Sequence, residues 1–257
     1  MKTYFISGIG ADYRLFTHIT LPEGYETAYI HWIPPQKQES LPAYAHRLAN
    51  QIDQSEPFVL VGFSLGGIMA IEIAKAFPPI CTIIISSVPV SASLPPYYTL
   101  AHRLQLTKIA SPTLMKLLAS VKHLLTMRSR DNWKIMREVI WSGDDQFISW
   151  AMDAVLKWEN NIIPQPFYHI HGSRDEIFPI SRIKPTYIIP KGGHTLIMNH
   201  PKAINALLQK ILSTPVLSTP IPPTAVPLTA VPSTAVPLTA APSTAVPRYP
   251  NPLHHLP

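Results

Sequence analysis

A chain of 257 residues has room for one large domain or two small ones, and at 46% apolar residues it can bury a sizeable core. Its one cysteine, Cys81, has no partner for a disulfide and too little company for a metal site, so neither a disulfide scaffold nor a cysteine metal centre is expected. The whole net charge of +6 belongs to residues 97–140, where Arg103, Lys108, Lys116, Lys122, Arg128, Arg130, Lys134 and Arg137 face only Asp131 and Glu138.

Residues 3–6 read as a strand, and so do residues 27–31. The opening Met1-Lys2-Thr3-Tyr4 enters the first strand without a stretch suited to a signal peptide. No run approaches the roughly 18 apolar residues of a membrane span, so a cytoplasmic protein is expected. Residues 41–52 follow as a helix, with Leu41, Tyr44, Ala45, Leu48 and Ile52 on one face. The apolar run 58–61 suits a buried parallel strand, 68–77 a helix packed on it, and 80–86 the next strand, which holds Cys81 as a core thiol.

Between residues 89 and 160 β-branched runs are few and apolar residues recur at helical spacing, as in Leu114, Leu117, Leu118, Val121 and Leu125. This predicts an all-helical insertion over about 90–160. Strands at 167–171 and 187–189 and a helix at 202–212 complete the alternation. The expected fold class is α/β: a three-layer αβα sandwich on a mostly parallel sheet of about six strands, spanning residues 1–212. In residues 213–257 a Thr-Ala-Val-Pro-like unit repeats every five residues, with prolines at 227, 232, 237, 242 and 247. Such spacing forbids helix and interior strand alike, so the tail is expected to be extended and disordered, either a linker or a product of repeat expansion.

Gly62-Phe63-Ser64-Leu65-Gly66 sits where a strand turns into a helix. Glycines on both sides permit a turn tight enough to lift the Ser64 hydroxyl clear of the backbone at a helix N-terminus. A serine hydroxyl needs a base, and the base needs a group to hold its tautomer. His169-Ile170-His171-Gly172-Ser173-Arg174-Asp175 puts Asp175 just past one later strand, and Lys191-Gly192-Gly193-His194 puts His194 just past the next. All three come from strand ends on one sheet edge, in the order Ser, Asp, His.

With these residues, Gly62-Phe63-Ser64-Leu65-Gly66-Gly67, His171-Gly172-Ser173-Arg174-Asp175 with Pro179 behind it, and Gly193-His194, the chain resembles the α/β-hydrolase-fold proteins over residues 1–212. The resemblance implies a nucleophile at Ser64, a base at His194 and an acid at Asp175. It also implies an oxyanion hole from the backbone N–H groups of Ile9, in Ser7-Gly8-Ile9-Gly10, and Leu65. Three departures stand out. Ser7 occupies a place where the family often has His, the two strands that usually open the fold are missing, and only a short irregular crossover fits between Asp175 and His194.

Other readings exist for single residues. His194 in its glycine loop can be a helix cap and Asp175 a turn residue. Asp153 is a fallback acid, Asp12 a loop-shaping residue, His171 a structural residue at a strand end, and His18 and His200 surface residues. The insertion is expected to cover Ser64 as a lid. Its Tyr97, Tyr98, Trp133, Trp141, Trp150 and Trp158 either line an acyl pocket or fuse the lid to the body.

The function this supports is a serine hydrolase cleaving a carboxylic ester or thioester through an acyl-enzyme, with no metal and no cofactor. The basic lid suits a substrate on an acidic carrier, a CoA moiety or an anionic lipid surface. Nucleic acid is not expected, because aromatics do not interleave with the basic residues. The alternatives are a lyase using the same triad for proton abstraction, as the resemblance also allows, and a non-catalytic binding module that kept the elbow.

Overall fold

The computed structural model describes residues 1–104, 111–113, 116–117, 119–120 and 129–213. Leu114, Leu118, Val121, Leu125, Lys108, Lys122, Arg128 and the repeats beyond Ser213 lie outside the described residues. Six parallel strands form one sheet: β1 (Lys2–Ile6), β2 (Glu26–Ile30), β3 (Phe58–Phe63), β4 (Cys81–Ile85), β5 (Phe167–Gly172) and β6 (Tyr187–Ile189). Their order is β2-β1-β3-β4-β5-β6. All six stand within one or two residues of the ranges expected from the apolar runs.

Strand alternation divides the core cleanly between the two faces. Tyr4, Ile6, Phe58 and Leu60 face helices α1 (Leu41–Leu48) and α2 (Leu65–Ala76), which bring Tyr44, Leu48, Ile68 and Met69 to that side. Phe5, Val59, Val61, Cys81, Ile83 and Ile85 face the other way, beneath the C-terminal helix. Burial pushes the Cys81 thiol up to about 12, in keeping with a core side chain.

The insertion contributes three described helices, α3 (Pro96–Arg103), α4 (Arg130–Ser142) and α5 (Asp145–Leu156). After β6 come the short α6 (Leu196–Asn199) and α7 (Pro201–Leu212), whose Ile204, Leu208 and Ile211 fill the second core. The insertion clasps both cores, because α5 buries Phe147, Ile148 and Ala151 in the first and α4 buries Met136 and Val139 in the second. Among the described residues no helix is long and apolar enough to cross a membrane.

Two helix boundaries differ from the sequence expectation. α1 stops at Leu48 and its last turn tightens into a 3-10 turn, Ala49–Gln51, which keeps Ala49 buried. α2 starts at Leu65 rather than 68, directly at the serine elbow. Its Gly66 and Gly67 are poor helix formers, but contact selects them: a Cβ on Gly66 would run into the carbonyl oxygens of Ile6 and Ser7 at the end of β1.

The chain leaves β1 for β2 on one side and for β3 on the other, so the sheet order reverses between β1 and β3. A crevice opens beyond the carboxyl ends of strands at such a point. The loop 7–11 follows β1 and Ser64 follows β3, and Ile6 and Gly62 are register partners.

Candidate functional site

Ser64 has φ 54° and ψ −119°, a conformation that ordinary side chains avoid. Three hydrogen bonds hold it there. Its N–H donates to Ile85 O at 3.0 Å, its carbonyl accepts from Ser87 Oγ at 2.7 Å, and the same carbonyl accepts from Gly67 N at 2.9 Å. The backbone is thus fixed from the end of β4 and from α2 while the hydroxyl faces the His194 ring.

Asp175 and His194 meet because the loops after β5 and β6 are stitched together. Ser173 N donates to Ile189 O at 3.1 Å, Arg174 N to Gly192 O at 2.8 Å, and Lys191 N to Ser173 Oγ at 2.8 Å. A single 3-10 turn, Ile180–Arg182, bridges the expected short crossover between β5 and β6. The backbone pair Gly172 and Gly192 touches so closely that a Cβ on Gly172 would overlap the Gly192 carbonyl.

The three side chains line up. His194 Nε2 lies 3.0 Å from Ser64 Oγ, and His194 Nδ1 lies 2.9 Å and 3.1 Å from the two oxygens of Asp175. A carboxylate only accepts, so Nδ1 carries the ring proton and Nε2 is free to accept from the serine. Asp175 Oδ1 also accepts the amides of Ile177 and Phe178, both at 2.9 Å. Burial pushes the Asp175 carboxyl up, but the facing His194, the Phe178 amide and His171 outweigh it and hold the group below its usual value. The Phe63 and Phe178 rings flank the imidazole, at 5.5 Å and 5.6 Å.

Behind the acid stands a buried histidine pair. His171 Nε2 donates to Phe178 O at 2.9 Å and lies 3.4 Å from Asp175 Oδ2. With that proton on Nε2, His171 Nδ1 must accept, and it takes His169 Nε2–H at 3.2 Å. The strand-end role expected for His171 is therefore to hold the acid loop. The alternation His169-Ile170-His171 just before Gly172 is the signal from which this pair can be read.

On the other side of Ser64, loop 7–11 closes with Ala11 N on Gly8 O at 3.1 Å and Ser7 Oγ on Ala11 O at 2.6 Å. Among the described residues no acceptor takes the amide of Ile9 or that of Leu65. Asp12 caps the following turn and pairs with Arg14, so it shapes the loop as expected. Asp153 lies on α5, paired with Lys157 and away from the histidine.

The insertion reaches the site at two points. Ile148 and Gly143 lie against Gly10, and Tyr98 stacks on Phe178 at 6.2 Å. Two of its aromatics fuse it to the body: Trp150 donates to Glu39 O and Trp158 to the buried Glu72, each at 2.9 Å. A cleft of about 400 Å³ runs beside loop 7–11, walled by Gly10, Ala11, Trp32, Ile33 and Phe147, and Ser64 is not among its lining residues. Lys116 is buried against Gly143 O, so part of the basic excess is tied inside the protein. Among the described residues no group of three histidine, cysteine or acidic side chains is arranged to hold a metal ion.

Residues 31–207 match the alpha/beta hydrolase family. The chain belongs to that family. No curated protein matches the sequence. Solved structures show the same fold at low identity. A thermophilic esterase from Thermogutta terrifontis is 15% identical, with a TM-score of 0.62 over 82% of this chain and 89% of that one. A carboxylesterase structure from Nitrososphaera gargenis is 16% identical with a TM-score of 0.66, covering 84% and 90%. MenH from S. aureus is 18% identical with a TM-score of 0.62, covering 81% and 91%. This family member thus keeps the fold on a six-stranded sheet.

Proposed function

We propose that the protein is a serine hydrolase that cleaves a carboxylic ester or thioester through an acyl-enzyme on Ser64. The observation that carries this reading is the continuous hydrogen-bonded line from Ser64 through His194 to Asp175. As Ser64 Oγ attacks the substrate carbonyl, its proton passes to His194 Nε2, and the imidazolium that forms faces the buried carboxylate of Asp175. The carbonyl oxygen becomes an oxyanion, and the amides of Ile9 and Leu65 are the donors for it. Collapse of the tetrahedral intermediate expels the alcohol or thiol, which takes the proton back from Nε2. Water then attacks the acyl-serine by the same route, with His194 again as base, and releases the acid.

The insertion meets the site at Gly10 and Phe178, and it carries the excess positive charge, which favours an anionic leaving group or carrier. Incubation with a fluorophosphonate probe and turnover of short p-nitrophenyl esters test the reading. The expected result is stoichiometric labelling of Ser64 and ester hydrolysis that falls by about 10⁴-fold or more in Ser64→Ala. No labelling would point to a binding module. Labelling without hydrolysis of any ester or thioester would point to proton abstraction by the same three residues.

A further inference from the structure

We infer that Trp32 is a positioning residue for the oxyanion hole: its indole N–H fixes the peptide whose other end is the Ile9 amide. The inference rests on the serine-hydrolase reading above. Trp32 Nε1 donates to two carbonyls of the loop after β1, Gly8 O at 3.2 Å and Ala11 O at 2.9 Å. The Gly8–Ile9 peptide is trans, so its C=O and N–H point in opposite directions. Holding Gly8 O against the indole and the Ala11 amide therefore turns the Ile9 N–H the other way.

A lock is needed at this peptide. Gly8 has no Cβ to restrict its rotation, and an added one would sit tightly against the Phe63 ring at 3.3 Å and touch Ser64 Cβ at 3.5 Å. Gly10, two residues on, has φ +64°. The loop is thus built from residues that turn easily, beside a serine that needs a fixed donor. Trp32 is itself held. Tyr44 Oη accepts Ile33 N at 3.0 Å and donates to Ile33 O at 2.8 Å, which clamps the next residue of the chain to α1. The indole lies against Phe147 of α5 at 4.8 Å and Tyr44 at 6.4 Å. The insertion therefore packs on the same indole through Phe147, while the hydrogen bonds to the loop come from the indole N–H.

Trp32→Phe keeps an aromatic ring and removes the donor. The readouts are kcat and KM on p-nitrophenyl acetate, together with the Ki of an aliphatic trifluoromethyl ketone. Ser64 Oγ adds to that ketone's carbonyl, His194 takes the proton, and an oxyanion adduct forms. The expected result is a fall in kcat of about 10- to 100-fold, short of the 10²–10³ that losing a donor outright costs. Ki should rise by a like factor, KM should stay within about threefold, and the fluorophosphonate should still label Ser64. Phe147→Leu removes the ring contact and leaves the indole N–H, so its Ki should stay within about twofold of wild type. Should Trp32→Phe not fold, benzothienylalanine at position 32, with sulfur in place of N–H in the same ring outline, carries the same test. Labelled Ser64 with an unchanged Ki in the donor-less variant overturns the inference alone, as does an equal rise in Phe147→Leu. Failure of the wild type to label overturns the hydrolase reading and the inference with it.

Discussion

His171 gives its Nε2–H to the carbonyl oxygen of Phe178 at 2.9 Å, so a fully buried imidazole holds the loop that carries Asp175. Phe178 in turn donates its amide N–H to Asp175 Oδ1 and lies edge-on to the His194 ring. His171→Leu leaves that carbonyl buried without a donor, and the cost is about 1–3 kcal/mol. The variant should be destabilised by that much in urea and should lose ester turnover. His171→Gln, whose amide places a donor near the position of Nε2, should recover most of both. Equal behaviour of the two variants would mean that the donor does not matter.

The histidine pair also sets a pH dependence. Burial, and then the neighbouring His171, hold His169 down to about 3 from a usual value near 6.5. Burial lowers His171 too, against the opposing pull of Asp175 and the Phe178 carbonyl. Below about pH 6.5 the unfolded chain binds protons at these positions and the folded chain does not. Stability is therefore lost as pH falls below about 6.5, down toward 3 for His169, by at most about 1.4 kcal/mol per pH unit for each histidine while it stays neutral in the folded chain. The lowered carboxyl of Asp175 acts in a lower window, because its contribution is present above its usual value near 3.8 and fades only beneath it. His169→Gln keeps the donor to His171 and cannot be protonated. Urea unfolding between pH 7 and 4.5 should fall less steeply in this variant than in the wild type; parallel curves would refute the linkage.

Asp175→Asn separates the two candidate acids. An amide in place of the carboxylate presents N–H or C=O to His194 Nδ1 and no longer selects the tautomer that Ser64 needs, so kcat should drop by about 10⁴-fold. The fallback acid Asp153 is 41% exposed in its side chain and engages Lys157 one helical turn away, so Asp153→Asn should keep full activity. Ester turnover of both variants, with their unfolding curves as controls, decides between them.

Much of the fold was legible because each strand centres on apolar residues over a strand-length run, but the order β2-β1-β3-β4-β5-β6 is set by long-range pairing that no local run encodes. That Ser64, Asp175 and His194 stand at one sheet edge follows from their positions at strand ends. That they come within hydrogen-bond reach does not. It depends on Gly172 and Gly192 touching and on backbone bonds such as Arg174 to Gly192, which no local pattern encodes. The start of α2 was hidden for a related reason, since Gly66 is chosen by its contact with β1 across the sheet rather than by helix propensity. Trp32 gave no signal at all, because its partners lie 21 and 24 residues back in the chain.

Gly66→Ala tests that contact. The added methyl would overlap the carbonyl oxygens of Ile6 and Ser7, which are backbone atoms and can yield only if α2 moves off β1. Overpacking of this kind costs about 3 kcal/mol. Because the displaced atoms begin the loop 7–11 and the helix begins at the serine, the loss of kcat should exceed what partial unfolding explains. Activity measured well below the melting temperature checks this, and an unchanged kcat there would show that the elbow and the loop move independently.

The insertion is anchored where it leaves and rejoins the sheet, and the anchor is testable apart from the site. Glu72, buried in α2, accepts Trp158 Nε1 at 2.9 Å and Lys75 Nζ at 2.7 Å, and Lys75 also reaches Asn160 Oδ1 at 3.0 Å. Asn160 Nδ2 then donates to Pro89 O at 3.1 Å, which joins the first and last residues of the insertion. Trp158→Phe leaves the Glu72 carboxylate one donor short, and Glu72→Gln leaves Lys75 without its charged partner. Each should cost about 1–3 kcal/mol. Since both changes break the same network, the double variant should be less destabilised than the sum of the two, by about 1 kcal/mol or more. Simple additivity in urea would mean that the two bonds act separately. None of these groups touches Ser64 or His194, so kcat at low temperature should stay near the wild-type value while the melting temperature falls.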